Sequence, residues 1–321
     1  MLVMNLTQKD RSLKIDAVEL RAIFGERLQT DVPLARYTSA RAGGTADLLL
    51  MVETVDELAN TAQKLWQTAQ PFRILGGGSN ILISDAGMRE LVLLNRARQI
   101  RFDEDADPPI VRVGSGANFG LLARQAAARG LAGLEWAAGI PGTVGGAVFG
   151  NAGAHGDDVA GCLRMAEILL PETGREIWPQ KQFAFEYRSS ILKRENRAAV
   201  IISAVFELEN STPQAVNAKM ERFKAYRRKT QPPGASMGSM FKNPPGDYAG
   251  RLIEQAGLKG QQVGDAQISN LHANFFVNRG EASAADIFSL IQLAREAVAE
   301  KFGVDLELEI ELVGEWENTD G

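Results

Sequence analysis

The 321-residue chain has one cysteine, Cys162, and two histidines, His155 and His272. A single thiol excludes an intramolecular disulfide framework and cysteine-rich zinc sites. The histidines stand 117 positions apart, so no HExxH or paired-histidine motif can be drawn, and no metal is expected. Basic residues are not in excess: 35 Lys and Arg against 40 Asp and Glu leave a net charge of −5. Without a basic surplus to neutralise a phosphate backbone, nucleic acid is not an expected partner. Long apolar runs are missing too. The most apolar stretches, such as Ala198–Val205, fall far short of the roughly 20 residues needed to span a bilayer. The segment Met1–Arg11 turns polar after six residues and lacks the apolar centre of a secretory signal. The expectation is a cytoplasmic protein with no membrane insertion and ordinary globular composition.

The length points to about two domains. The first 30 residues look helical, with weak periodicity, and Val32–Leu50 reads as extended, broken at Gly43-Gly44. Residues 54–69 predict a helix, with Val55, Leu58, Ala59, Ala62, Leu65, Trp66 and Ala69 on one face and a capping-box pattern at Thr54 and Glu57. Strands are predicted at Phe72–Leu75, Ile81–Ile83, Leu91–Leu94 and Ile110–Val113, then a helix over Phe119–Arg129 stopped by Gly130. Further strands are expected at Met165–Leu170, Glu176–Trp178 and Ala198–Glu207, and a boundary at Ser211–Pro213. Helices follow at Gln214–Lys229, Asp247–Ala256 and Ser283–Phe302. The final segment, Val304–Val313, alternates apolar and acidic residues and predicts one long strand. Strands and helices do not follow strict βαβ order, so the fold class is α+β.

Two glycine clusters carry the chemical information. Gly76-Gly77-Gly78 follows a strand, but Ser79-Asn80-Ile81-Leu82-Ile83 continues as another strand, which excludes a Rossmann turn and a P-loop. Two readings stay open: an anion-binding nest of backbone N–H groups, or a tight turn with Asn80 left-handed. The second cluster, Gly139–Gly156, has seven glycines in 18 residues flanked by Leu134, Trp136, Val148 and Phe149. That density marks close backbone approach, either to a cofactor diphosphate and ring or to another protein element.

The run Leu75–Ile83, the block Gly139-Ile140-Pro141-Gly142-Thr143-Val144-Gly145-Gly146-Ala147 and the block Gly150-Asn151-Ala152-Gly153-Ala154 resemble the flavin-binding domain of the vanillyl-alcohol oxidase superfamily. Tyr187-Arg188-x-Ser190, the Gly238–Pro244 block and Leu306-Glu307-x-Glu309 narrow the resemblance to the UDP-N-acetylenolpyruvoylglucosamine reductase family. It implies a two-lobed PCMH-type FAD-binding domain over residues 32–210, with lobes near 32–97 and 98–210, followed by a smaller α+β substrate-binding domain over 211–314. It also implies non-covalent FAD reduced by NADPH, a UDP-sugar enolpyruvate substrate and a monomer. By the same resemblance Arg188, Ser239 and Glu309 are catalytic. The cofactor would be held by Gly76, Gly77, Gly78, Ser79, Asn80, Gly139, Ile140, Pro141, Gly142, Thr143, Gly145, Gly146, Asn151, Ala152 and Gly153. Substrate contacts fall to Tyr187, Lys229, Asn243 and His272. Read without the resemblance, Arg188 is an arginine in a basic run, Ser239 a loop serine, and Glu309 one of three glutamates on a wet strand face. Lys229 reads equally as a cation closing a helix. Only 50 residues separate Arg188 from Ser239, matching the subtype without an inserted tyrosine loop. A different flavin oxidase and a non-catalytic nucleotide-binding module are the competing functions.

Overall fold

The computed structural model describes residues 2–3 and 16–316. The chain divides into two compact units, one holding the described parts of residues 1–30, 48–77 and 90–225, the other those of 31–47, 78–89 and 226–321. The fold class is α+β. The unit division is interleaved along the sequence. Helix Pro213–Thr230 begins just past the expected 210/211 boundary, and the change of unit falls within it, after Ala225.

Two five-stranded sheets lie largely in the first unit. In one, the strand order is Leu2–Val3, Phe72–Leu75, Leu91–Asn95, Thr45–Val52, Leu28–Pro33. Leu91–Asn95 runs parallel to both of its neighbours, and all five of its residues are buried. A parallel strand covered on both faces reads as an unbroken apolar run, which is why Leu91–Leu94 shows no alternation. Helix Val55–Gln67 buries Leu58, Ala59, Ala62 and Leu65, the stripe its periodicity predicts. Its cap differs in detail from a reciprocal box. Thr54 Oγ1 accepts from Glu57 N–H, but the Glu57 carboxylate accepts from Glu53 N–H, one residue further back. The other sheet is antiparallel, ordered Gly174–Pro179, Leu163–Leu170, Val200–Glu207, Ile110–Gly114, Ile100–Asp103. Helix Phe119–Ala128, capped by Asn118, packs into the core through Phe119, whose ring meets Trp136 edge-on at 5.4 Å.

The first 30 residues, expected to be helical, contain the short strand Leu2–Val3, the α-helix Ala17–Phe24 and a 3-10 turn Gly25–Arg27 before the strand at Leu28. The rest of that helical expectation, residues 4–15, lies outside the described residues. Glycine content conceals a helix: Val144–Phe149, inside the second glycine cluster, is α-helical.

In the second unit four strands, Ala235–Ser239, Phe275–Asn278, Ala266–Ile268 and Gln262–Val263, form an antiparallel sheet in that order. Helix Ala284–Phe302 buries Ile287, Leu290, Ile291, Ala294 and Val298. Ser283 and Asp286 close a capping box at its start, and the Asp85 carboxylate accepts from the N–H groups of Ala284 and Ala285. The long strand expected at Val304–Val313 is not continuous; only Glu311–Val313 is a strand, parallel to Ile81–Ile83. The reason is a change of partner along its length. Lys242 N–H donates to Glu307 O, Glu309 N–H to Met240 O, and Glu311 N–H to Asn80 O. Alternation survives because Leu306 and Ile310 are buried, while the ladder that alternation suggested does not form.

Candidate functional site

In the first unit the two glycine clusters pack back to back. A Cβ added at Gly76 would lie 2.4 Å from Thr143 Oγ1, and one at Gly77 would lie 2.9 Å from Gly142 Cα. Both are closer than a real Cβ tolerates: at Gly76 the Thr143 side chain would have to turn aside, and at Gly77 the backbone itself stands in the way. Gly142 sits at φ 117° and its carbonyl accepts from Phe119 N–H. Gly145 N–H donates to Ser115 O and Val144 N–H to Ala117 O, which pin the start of the short helix. Gly139 and Pro141 are exposed, and Ile140, Thr143, Gly146 and Ala152 are half-buried.

Arg188 reaches the second glycine cluster: its Nη2 donates to Gly153 O at 2.8 Å. It does so from a left-handed backbone, φ 56°, in a turn closed by reciprocal hydrogen bonds between Glu186 and Ser189. Such a conformation in a non-glycine residue costs on the order of 1 kcal/mol. Tyr187 is exposed, with its ring 5.3 Å from the Arg188 guanidinium carbon. Asn151, also left-handed, spends its side chain within the protein. It donates to Asp158 Oδ2 and Glu186 O and accepts from Ala160 N–H. Its amide braces the loop on which Gly153 lies.

In the second unit the left-handed residue of the first cluster is Gly78, at φ 58°, rather than Asn80. A Cβ there would lie 2.0 Å from Tyr37 O. Ser79 is half-buried and Asn80 exposed. The Asn80 amide donates to Glu309 O at 3.0 Å, and its carbonyl receives Glu311 N–H. Glu309 N–H in turn donates to Met240 O, so Ser239, Glu309 and Asn80 share one hydrogen-bonded frame. Of the three alternating glutamates, Glu307 is exposed and paired with Lys242, while Glu309 and Glu311 are half-buried. Asn243 and His272 each lie at the start of helix Ala249–Gln255. Asn243 Oδ1 accepts from Ala249 N–H, and the His272 ring lies so close that a Cβ at Gly250 would be 2.9 Å from its Cε1. Burial, helped by the Lys259 charge, lowers the His272 pKa, and its Nδ1 accepts from Asn274 N–H. Lys229 is exposed on the last turn of helix Pro213–Thr230.

Two family models divide the chain between them. Residues 46–178 match the FAD binding domain, and residues 229–313 match the C-terminal domain of UDP-N-acetylenolpyruvoylglucosamine reductase. A protein named UDP-N-acetylenolpyruvoylglucosamine reductase from Chloroflexus aggregans is 43% identical over 289 residues, covering 89% of this chain and 97% of its own length. One of the same name from Halalkalibacterium halodurans is 40% identical over 302 residues, covering 92% of this chain and 97% of its own. The chain belongs to the UDP-N-acetylenolpyruvoylglucosamine reductase family. The crystal structure of such a reductase from Thermus caldophilus superposes with a TM-score of 0.76 at 36% identity, covering 89% of this chain and 99% of that one.

Membership of the reductase family makes the chain an FAD-dependent oxidoreductase of peptidoglycan precursor synthesis, with a PCMH-type flavin domain and a smaller α+β domain. The donor chemistry fits FAD. Among the described residues, no acceptor is found for the N–H group of Gly77 in the first unit, nor for those of Gly78 and Asn80 in the second. Sequence reasoning passed over Arg96, whose Nη1 donates to Gly76 O and braces that turn. It also passed over Arg227, two residues before Lys229. Burial pushes the Arg227 guanidinium below its usual range, and no carboxylate pairs with it among the described residues. The basic run Arg227-Arg228-Lys229 was the available signal, but helical phase alone did not say which member turned inward. Among the described residues no helix is long and apolar enough to cross a membrane.

Proposed function

We propose that the chain reduces UDP-N-acetylglucosamine enolpyruvate to UDP-N-acetylmuramate with NADPH as reductant, in the cytoplasm and as a monomer. FAD held by the glycine clusters would supply the hydride-transfer chemistry, with NADPH as the source and the vinyl CH2 of the substrate as the acceptor. The protein must then steady the negative charge that develops on the enolpyruvyl carboxylate and deliver a proton to the carbon bearing it. Arg188 suits the first task, since a fixed guanidinium gains most where charge grows in the transition state. Ser239 suits the second. A serine hydroxyl is a weak acid, so it serves only a strongly basic carbon held close to it. Glu309, as the protonated acid, can donate a hydrogen bond to the same developing charge. Lys229, Asn243, Tyr187 and His272 would hold the UDP-sugar, within a substrate domain over 211–314, and the glycine clusters of 32–210 would hold the flavin.

The observation that carries this reading is the Glu309 N–H to Met240 O hydrogen bond, which sets a hydroxyl-bearing and a carboxyl-bearing residue from distant segments on adjoining backbone. Stopped-flow absorbance of the flavin tests it by separating the two half-reactions. Ser239→Ala leaves the glycine clusters intact, so reduction by NADPH should stay near wild type. Reoxidation by the enolpyruvyl substrate should fall by roughly 10²–10⁴-fold, the usual worth of general acid help. Ser239→Cys should recover part of that rate. Equal slowing of both half-reactions, or of neither, would remove Ser239 as the proton donor.

A further inference from the structure

The ladder between Ala235–Ser239 and Phe275–Asn278 is irregular just where Ser239 lies. Ser236 pairs with Val277 and Ser239 with Phe275, so Met237 and Gly238 on one strand stand against Phe276 alone on the other. Gly238, at φ 79°, lies within that bulge. A bulge re-aims the side chain that follows it and ends regular pairing, so the register of residues 239–242 has to be set by something other than the ladder. Asn274 supplies it. Met240 N–H donates to Asn274 O at 2.8 Å. Phe241 N–H donates to Asn274 Oδ1 at 2.9 Å, and Asn274 Nδ2 donates to Phe241 O at 2.8 Å. The side-chain amide thus stands where the next residue pair of a strand would stand, donating and accepting as a backbone peptide does. On its other side the same segment takes Glu309 N–H on Met240 O and gives Lys242 N–H to Glu307 O.

We propose that Asn274 is the positioning residue that holds Ser239 in register with Glu309 for delivery of the proton. The proposal rests on Ser239 being the donor. Asn274 is 3% exposed, so its amide gains little from water and its two hydrogen bonds to Phe241 are the ones available to it. The backbone N–H of Asn274 is itself held by His272 Nδ1 at 3.2 Å, which requires that nitrogen to be without a proton. Replacing the amide by a group that cannot both donate and accept frees one edge of residues 240–242 while Glu307 and Glu309 still hold the other. Ser239 would then shift relative to the carbon it protonates. Asn274 itself bonds no residue of the glycine clusters, so the flavin and its reduction should be spared.

The test uses the full-length, FAD-loaded protein with Asn274→Asp and Asn274→Ala, each alone and combined with Ser239→Ala. A displacement near 1 Å costs about 100-fold in a proximity-dependent step. Either single variant should therefore slow flavin reoxidation by about 10- to 100-fold, with reduction by NADPH and the substrate dissociation constant unchanged. Because Asn274 acts through Ser239, adding either change to Ser239→Ala should cost nothing further, a non-additivity expected of residues that work as a unit. Additive losses, equal slowing of both half-reactions, or no slowing where Ser239→Ala is slow would overturn the proposal. Failure of both variants to retain FAD would do the same, since it would assign Asn274 to folding alone. If Ser239→Ala by itself leaves reoxidation unchanged, the donor assignment fails, and that result is visible without any Asn274 variant.

Discussion

His272 occupies a position where protonation is costly. Its Nδ1 accepts from Asn274 N–H, and its ring lies against Gly250. Burial is the main cause of its lowered pKa; the Lys259 charge adds to it, and Glu254 opposes it. A histidine whose pKa is depressed on folding stabilises the protein fully above its unfolded value, 6.5, and that stability is lost as pH falls below it towards the folded pKa. The melting temperature should therefore drop between about pH 7 and pH 5.5, and His272→Gln should flatten that part of the profile. A profile identical in wild type and His272→Gln would show that His272 does not titrate on unfolding. None of this is legible from a lone histidine in Leu271-His272-Ala273-Asn274. Burial, the neighbouring lysine and the accepting nitrogen come from segments that fold onto it.

Glycine acts at the scale of the element. The density of glycines in 139–156 signals close approach, and the approach found is between the two clusters, Gly76 to Thr143 and Gly77 to Gly142. Gly77→Ala would set a methyl group 2.9 Å from Gly142 Cα, against backbone that cannot swing aside. One cluster would have to move. FAD occupancy after purification should fall well below that of wild type, as read from the ratio of flavin to protein absorbance, while far-UV circular dichroism stays native. Unchanged occupancy would mean that the clusters need not touch to hold the cofactor. Periodicity was informative wherever a helix or strand packs a single face, as in Val55–Gln67 and Ala284–Phe302. It failed at Val144–Phe149, because glycine-rich composition carries no helical signal and the turn is held by hydrogen bonds to Ser115 and Ala117. It also failed at Val304–Val313, because alternation reports burial and not the identity of the hydrogen-bonding neighbour.

For the whole molecule, interleaving means that no single cut of the chain separates the two units. A chain ending at Asn210 would keep residues 31–47 and 78–89 but lose the helices and strands that bury Ala40, Ala42 and Leu82. Ile81–Ile83 would lose its parallel partner, and Ala40 O its hydrogen bond from Asn278. Such a fragment should aggregate or melt well below the full chain and hold less flavin, as judged by gel filtration and thermal scanning. A fragment as stable as the full chain would show that the second unit's early segments need no later partner. Amino-acid order by itself determined what neighbouring residues decide among themselves. That includes most helices, the existence of the strand at Leu91–Leu94, the need for glycine at two turns and, through short motifs, the family. Tertiary structure decided what depends on distant segments: which glutamate of the three is left exposed, how Ser239 is brought beside Glu309, and that Arg188 adopts a left-handed turn to reach Gly153. Hydrogen-bond partners remote in sequence leave no local periodicity, so only the folded chain could name them.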